Sequence, residues 1–234
     1  MKLTPLMLFA GSLVMPLLSG CHGLPGPPED SQELIRPEEQ VDFHRLYQQN
    51  CSACHGINGT DGPALDLANP QYQLLVSDDS LKKWITGGVP GTQMPAFGES
   101  AGGLLTNQQV WALVTGMRTA WAPVDEKYDE RTPPYISDLA GDPKRGEQIY
   151  TADCQSCHRS EKQRVTNTAY LALVSDRALR TIIIAGRPDL GHPGWNNAAA
   201  GYSMSDRDVT DVVSYLASLR TSTPGQPYPE QPKR

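Results

Sequence analysis

The chain has 234 residues, with 20 basic and 26 acidic side chains and a formal net charge of −6. This length accommodates two small domains or one larger domain, and the acidic balance argues against a nucleic-acid partner. Apolar residues make up 38% of the chain and phenylalanine occurs only 3 times, so two cores built from side chains alone would be thin. Small domains of this kind usually need additional stabilisation beyond their core.

The first 20 residues are predicted to be a signal peptide. Lys2 precedes an uncharged, largely apolar run, residues 3–18, and the tetrapeptide LSGC then ends at Cys21. A charged start, an apolar stretch and small residues at a cleavage point are typical of export signals. The run is too short and too rich in proline and glycine to favour a membrane-spanning helix. LSGC resembles a bacterial lipoprotein signal, which implies lipidation of Cys21 and a location on the periplasmic side of a bacterial membrane.

Stretches rich in proline, glycine and acidic residues divide the rest of the chain. Residues 21–36 predict a flexible tether and residues 122–141 a linker, because neither shows an apolar period. The segments 37–121 and 142–220 are therefore predicted to be two domains. Residues 221–234 are predicted to form a disordered tail.

The two predicted domains repeat one another. Residues 72–88 match residues 170–186 at a constant offset of 98. Ser or Asp near the start and Gly at the end predict a capped helix in each copy. The amphipathic segments that begin at Leu105 and Met204 match at an offset of 99 and predict one further helix each. Two copies of one helical fold explain these matches.

Each copy contains one Cys-x-x-Cys-His motif, CSACH at 51–55 and CQSCH at 154–158. Two thiols at this spacing near a helix start can reach the two vinyl groups of a haem, and the next histidine is then held under the iron. A structural zinc site and a thioredoxin-type thiol–disulfide motif are the alternatives. Zinc would require four ligands grouped around each ion, and the thiol motif would require a strand–helix context. Two motifs in equally built helical units, behind an export signal, favour haem.

These features resemble a bacterial dihaem cytochrome c built from two class I cytochrome c domains. The segments GDPKRGEQIYTADCQSCH and GTQMPAFG fit that family closely. The resemblance implies an all-α fold of two tandem domains, each wrapped around one covalently bound haem c. The implied covalent attachments are Cys51, Cys54, Cys154 and Cys157. The implied proximal iron ligands are His55 and His158.

In this family a Gly-Pro pair commonly lies where a backbone carbonyl orients the proximal histidine. Gly62-Pro63 fits that place in the first domain. Such a carbonyl fixes the ring and its tautomer. The second domain has no Gly-Pro after its motif, so the sequence leaves open what orients His158.

The distal ligands are predicted to differ between the domains. Met94 and His192 each lie six residues after the glycine that closes the preceding helix, and a proline follows each of them. Met94 lies in a loop rich in glycine and proline, where a core methionine has no helical face to fill. Met94 is therefore predicted to bind the first iron and His192 the second. Met204 is the alternative to His192, although it aligns with Leu105 at the start of the last helix, where a buried apolar side chain is expected.

Two haems with both axial positions filled predict a one-electron carrier, since six-coordinate iron has no open site for a substrate. The expected partners are a redox protein donor and acceptor, with membrane attachment through the lipid. Stable association would make the chain a subunit of a respiratory or photosynthetic complex. The alternative is a dihaem enzyme or enzyme subunit, of the peroxidase or thiosulfate dehydrogenase type, in which the second haem is catalytic.

Overall fold

The structure is a computed structural model, and it describes residues 35–125, 127–160, 164–198 and 201–221. Regular structure in these residues is helical apart from two isolated β-bridges. None of the described helices is both long enough and apolar enough to cross a membrane. The predicted signal peptide, Cys21, nearly all of the tether and nearly all of the tail lie outside the described residues.

The first domain is built around a contact between its first and last helices. Its α-helices are α1 (Phe43–Asn50), α2 (Ser52–His55), α3 (Pro70–Leu75), α4 (Asp78–Gly87) and α5 (Asn107–Trp121). Both α1 and α4 pack against α5. The predicted last helix is α5, and a capping box formed by Thr106 and Gln109 begins it. Val110 and Val114 are buried at the centre of the core.

The second domain repeats this plan. Its α-helices are α6 (Pro143–Ile149), α7 (Thr168–Leu171), α8 (Asp176–Ala185) and α9 (Asp206–Ser218). A π-helical turn, Tyr150–Cys154, continues α6 into the second cysteine motif. Helix α6 packs closely against α9 at Gly146, which has no side chain. A Cβ at this position would lie only 1.9 Å from the carbonyl oxygen of Asp211. The glycine therefore sets the distance between these two helices.

The capped helix predicted in both repeats is confirmed, but it is shorter than its sequence match. Ser77 accepts a hydrogen bond from the backbone of Ser80 at the start of α4, and Gly88 ends that helix. Val76 has an extended backbone (φ −91°, ψ 134°), so the residues before it form the separate helix α3. The same division separates α7 from α8, where Ser175 is the cap.

The two domains pack against each other through α3 and α8, within one compact unit that begins at Pro37. Leu75 of α3 belongs to the core of the second domain, and Ala185 of α8 belongs to the core of the first. The buried Asn69 amide donates hydrogen bonds of 3.0 and 3.2 Å to the carbonyls of Ala185 and Gly186. Apolar packing and buried hydrogen bonds thus join the two repeats.

Candidate haem sites

The first cysteine motif lies where α1 meets α2. Cys51 ends α1 and precedes α2, which contains Cys54 and His55. The backbone of His55 donates to the Cys51 carbonyl at 3.0 Å, so one helical turn holds the motif. Cys51 is half-buried and Cys54 is exposed. The motif joins two helices and not a strand and a helix, which is the context expected for haem attachment.

A loop carbonyl orients His55. Nδ1 of His55 lies 2.8 Å from the carbonyl oxygen of Leu65, and because a carbonyl only accepts, Nδ1 is the protonated nitrogen. Burial is the main cause that lowers the pKa of His55, which favours the neutral ring. Nε2 therefore keeps its lone pair for a metal. The loop is the one predicted from Gly62-Pro63, and the accepting carbonyl lies two residues beyond the proline.

The first cysteine of each motif is poorly suited to thiol–disulfide exchange. Burial, with a smaller contribution from Cys54, raises the pKa of Cys51 to about 12. Burial and the neighbouring Asp153 raise the pKa of Cys154 to about 11. Redox-active cysteines have depressed pKa values, because the thiolate is the reactive form. The electrostatic environment of both motifs thus disfavours the thioredoxin-type alternative.

The loop that carries Met94 folds back onto the end of α4. Gly88 has a left-handed backbone (φ 67°), and a Cβ at this position would lie 2.7 Å from the Met94 carbonyl oxygen. The backbone of Val89 donates to the same oxygen at 3.0 Å. Met94 is half-buried. Glycine at position 88 is therefore what lets the predicted ligand loop close over the domain.

The segment that carries His192 has the same geometry in the second domain. Gly186 is also left-handed (φ 74°), and a Cβ there would lie 2.8 Å from the His192 carbonyl oxygen. The backbone of Arg187 donates to that oxygen at 3.0 Å, as Val89 does to Met94. Met94 and His192 therefore occupy equivalent positions in three dimensions as well as in the sequence repeat.

The ring of His192 lies close to the ring of His158, the predicted proximal histidine of its own domain. The ring centroids of His158 and His192 are 6.0 Å apart, with the ring planes inclined by 45°. Metal–imidazole bonds of about 2 Å place the centroids of two rings that bind one ion from opposite sides about 6 Å apart. The pKa of His192 is lowered by burial and by the charge of His158, so a neutral ring is favoured. This pair of rings fits an iron ion between them.

The two domains hold these histidines differently. Nδ1 of His192 is buried and makes no hydrogen bond of ordinary geometry among the described residues, although the Pro193 backbone lies close to the ring, whereas Nδ1 of His55 is bonded to Leu65 at 2.8 Å. An imidazole that donates through its second nitrogen is a more basic metal ligand. The second nitrogen of His192 is therefore held less firmly than the second nitrogen of His55.

Met204 lies in the core of the second domain and is 5% exposed. Its backbone donates to the Trp195 carbonyl at 2.8 Å, and the backbone of Leu105 donates to the Phe97 carbonyl at 2.7 Å in the first domain. Met204 thus takes the place of the buried Leu105, as the sequence alignment predicts. This position favours a packing role for Met204 over the alternative ligand role.

Arg187 is a residue of these sites that the sequence reasoning missed. Its buried guanidinium donates hydrogen bonds from the second domain to the carbonyls of Gly62 and Ala64, in the loop that holds His55. The sequence repeat contains one sign of it: the position that holds Arg187 in the second domain holds the apolar Val89 in the first.

Two family models match the chain, one in each domain. Residues 38–115 match subunit III of cbb3-type cytochrome c oxidase, and residues 143–220 match cytochrome c. Together the matches cover about two thirds of the sequence. The chain therefore belongs to the c-type cytochromes and contains two cytochrome c domains. The predicted all-α fold of two tandem cytochrome c domains is confirmed, and two such domains imply the binding of haem c.

Solved structures of haem proteins are also similar to the chain. The c-type cytochrome KustC0563 is 36% identical over 33% of this chain and 95% of its own, with a TM-score of 0.29. The Kuenenia stuttgartiensis reducing HAO-like protein complex Kustc0457/Kustc0458 is 16% identical over 76% and 96%, with a TM-score of 0.43. Dihydro-heme d1 dehydrogenase NirN in complex with DHE is 27% identical over 43% and 23%, with a TM-score of 0.30. No curated protein matches the chain.

Proposed function

We propose that this dihaem c-type cytochrome carries single electrons between redox proteins. His55 and Met94 would be the axial ligands of the first haem, and His158 and His192 those of the second. The observation that carries the proposal is the 6.0 Å separation of the His158 and His192 rings, which suits ligation on both faces of one iron. Haem c supplies the one-electron chemistry of iron when it is bound. Side chains on both faces leave no coordination position for a substrate.

The two ligand pairs predict unequal reduction potentials. The Met94 thioether is a weak donor that favours ferrous iron, whereas the His192 imidazole is a stronger donor that favours ferric iron. Axial ligands can move haem potentials over about 0.8 V. The first domain would therefore have the higher potential, and a single electron would rest mainly there. Electrons would pass downhill from the second domain to the first.

The proposed location is the periplasmic side of a bacterial membrane, with a lipid anchor on Cys21. The support for this location is the LSGC tetrapeptide that follows the apolar run of the first 20 residues. A lipid anchor and a flexible tether would keep the haem domains close to membrane-bound electron donors and acceptors. Stable membrane binding by lipid requires more than one acyl chain or a second attachment.

A second candidate role is that of a subunit in a membrane electron-transfer complex. The observation that favours it is the match of the first domain to subunit III of cbb3-type cytochrome c oxidase. Mild detergent extraction followed by size-exclusion chromatography tests this role. Both haems eluting with a larger, reproducible assembly would support a subunit, and elution as a single chain would support a free carrier.

Electron paramagnetic resonance of the oxidised protein tests the ligand assignment. The expected spectrum contains one low-spin His–Met signal and one low-spin bis-His signal. Two His–Met signals would overturn the role of His192 in favour of Met204. A high-spin signal from the second domain would instead favour the enzyme alternative, with a coordination position open to a substrate.

A further inference from the structure

We infer that Arg187 is a positioning residue that couples the two haem sites. The inference rests on the proposed function, because it assigns His55 and His192 to the two irons. Arg187 belongs to the second domain, yet its side chain bonds to the first domain and its backbone bonds to His192. Arg187 thereby bonds both to the loop that orients His55 and to the backbone of His192.

The side chain of Arg187 fixes the loop that orients His55. Nη1 donates to the carbonyl of Ala64 at 2.8 Å, and Nη2 donates to the carbonyl of Gly62 at 3.0 Å. Ala64 immediately precedes Leu65, whose carbonyl accepts from His55. The Arg187 side chain is only 8% exposed, so both hydrogen bonds are shielded from water. Loss of the guanidinium would leave two loop carbonyls without these partners.

The backbone of Arg187 fixes the segment that carries His192. Its amide donates to the His192 carbonyl at 3.0 Å, and its own carbonyl accepts from the His192 amide at 2.9 Å. The two residues thus form an antiparallel bridge. A short route through hydrogen bonds and covalent bonds therefore leads from the ring of His55 through Leu65, Ala64 and Arg187 to His192.

Asp189 holds the Arg187 side chain in the orientation that reaches across the interface. Nε of Arg187 lies 2.8 Å from Oδ1 of Asp189, and Nη2 lies 2.6 Å from Oδ2. The Asp189 side chain is 5% exposed. This geometry uses the planar fork of an arginine, with one edge on a carboxylate and further donors on two carbonyls. A lysine would keep the charge but could not reproduce this set of bonds.

The charge of Arg187 also reaches both predicted ligands. Its side chain bonds to the loop that orients His55, and its backbone bonds to His192. Oxidation of either iron adds positive charge near the same groups. A change in the Arg187–Asp189 pair should therefore alter the electrostatic potential at both haem sites.

Arg187→Lys tests the inference in the full-length protein with both haems attached. The variant keeps the charge but releases the Gly62 and Ala64 carbonyls, so the Leu65–His55 hydrogen bond should loosen. A weaker hydrogen bond makes the imidazole a weaker donor, and the higher-potential step should shift upward although the substitution lies in the other domain. Arg180→Lys is the matched control, because Arg180 is also buried but bonds to Pro134, Asp206 and Thr210. It should leave that step in place.

Asp189→Asn is the second variant, and it keeps the Arg187 guanidinium because the amide oxygen can still accept one of the two hydrogen bonds. Loss of a buried negative charge disfavours ferric iron, so both steps should shift to higher potential. The inference is overturned if neither variant moves the higher-potential step, or if Arg180→Lys moves it equally. The spectrum of the unmutated protein tests the ligand assignment separately, so a failure of the proposed function is distinguishable from a failure of this inference.

Discussion

Arg118 and Arg220 donate to equivalent backbone carbonyls and to an equivalent aspartate in the two domains, although the sequence repeat does not pair them. Arg118 donates in addition to the side-chain oxygen of Gln73. Each guanidinium donates to two backbone carbonyls and to one aspartate. The acceptors are Gln73, Val76 and Asp78 in the first domain and Leu171, Val174 and Asp176 in the second. These acceptors correspond at an offset of 98, whereas the arginines are 102 residues apart. Arg118 lies inside α5, and Arg220 lies just beyond α9.

Arg220→Met should lower the free energy of unfolding by about 1–3 kcal/mol, because two shielded carbonyls lose their partner. Arg220 is only 7% exposed, whereas the Asp176 side chain is 61% exposed. The matched variant Asp176→Asn removes only the charge of the exposed partner and should cost less than about 1 kcal/mol. Urea unfolding followed by far-ultraviolet circular dichroism gives both values. Equal losses would show that the ion pair, and not the carbonyl contacts, provides the stability.

Gly146→Ala should destabilise the second domain by about 1–3 kcal/mol, because the added methyl group would overlap the backbone of α9. Gly87→Ala is the matched control at the end of α4, where an added Cβ meets no atom within 4 Å. Alanine is the better helix former, so this variant should be neutral or more stable by up to about 1 kcal/mol. Thermal unfolding of the two variants measures the difference. A Gly146→Ala variant as stable as Gly87→Ala would contradict the close helix contact.

His192→Met should raise the lower of two reduction steps towards the higher one, because a thioether replaces a stronger imidazole donor. The step assigned to Met94 should change little. A potentiometric titration followed in the visible region measures both steps. Met204→Leu is the control, since it restores the residue type of the equivalent Leu105. This control should leave both steps unchanged, and loss of the second low-spin signal in it would assign Met204 as the ligand.

Cys21→Ser should release the protein from the membrane with both haems still attached. The expected reason is loss of the acylated cysteine, which lies outside the described residues. Metabolic labelling with a radioactive fatty acid should mark the unmutated chain and not the variant. Mass spectrometry of the mature N-terminus is the independent check. Retention of residues 1–20 would contradict the proposed processing.

Local sequence patterns were sufficient to predict the features of each domain separately. Ser77 and Ser175 cap their helices as predicted, because a cap involves a backbone group only three residues away. The equivalence of Met94 and His192 also follows from a short pattern, since Gly88 and Gly186 fix the return of each loop. The roles of these residues and of the motif cysteines in binding haem stay predictions.

Contacts between distant residues could not be predicted in this way. Arg187 lies more than 120 residues from the carbonyls that it binds, and no local period links them. The separate short helix α3 that precedes Val76 was not predicted, since the sequence indicated only the helix that Ser77 caps. Likewise, the sequence indicated the loop that orients His55 but not that Leu65 supplies the carbonyl.

The exchange of Leu75 and Ala185 between the two cores has a consequence for any attempt to divide the chain. A cut in the linker, residues 122–141, would separate two segments that look like independent modules in the sequence. Each half would then expose apolar surface that the other half now covers, and the Arg187–Asp189 pair would face water. Although the halves are repeats, each half covers apolar surface of the other. The smallest stable unit of this cytochrome is therefore expected to contain both domains.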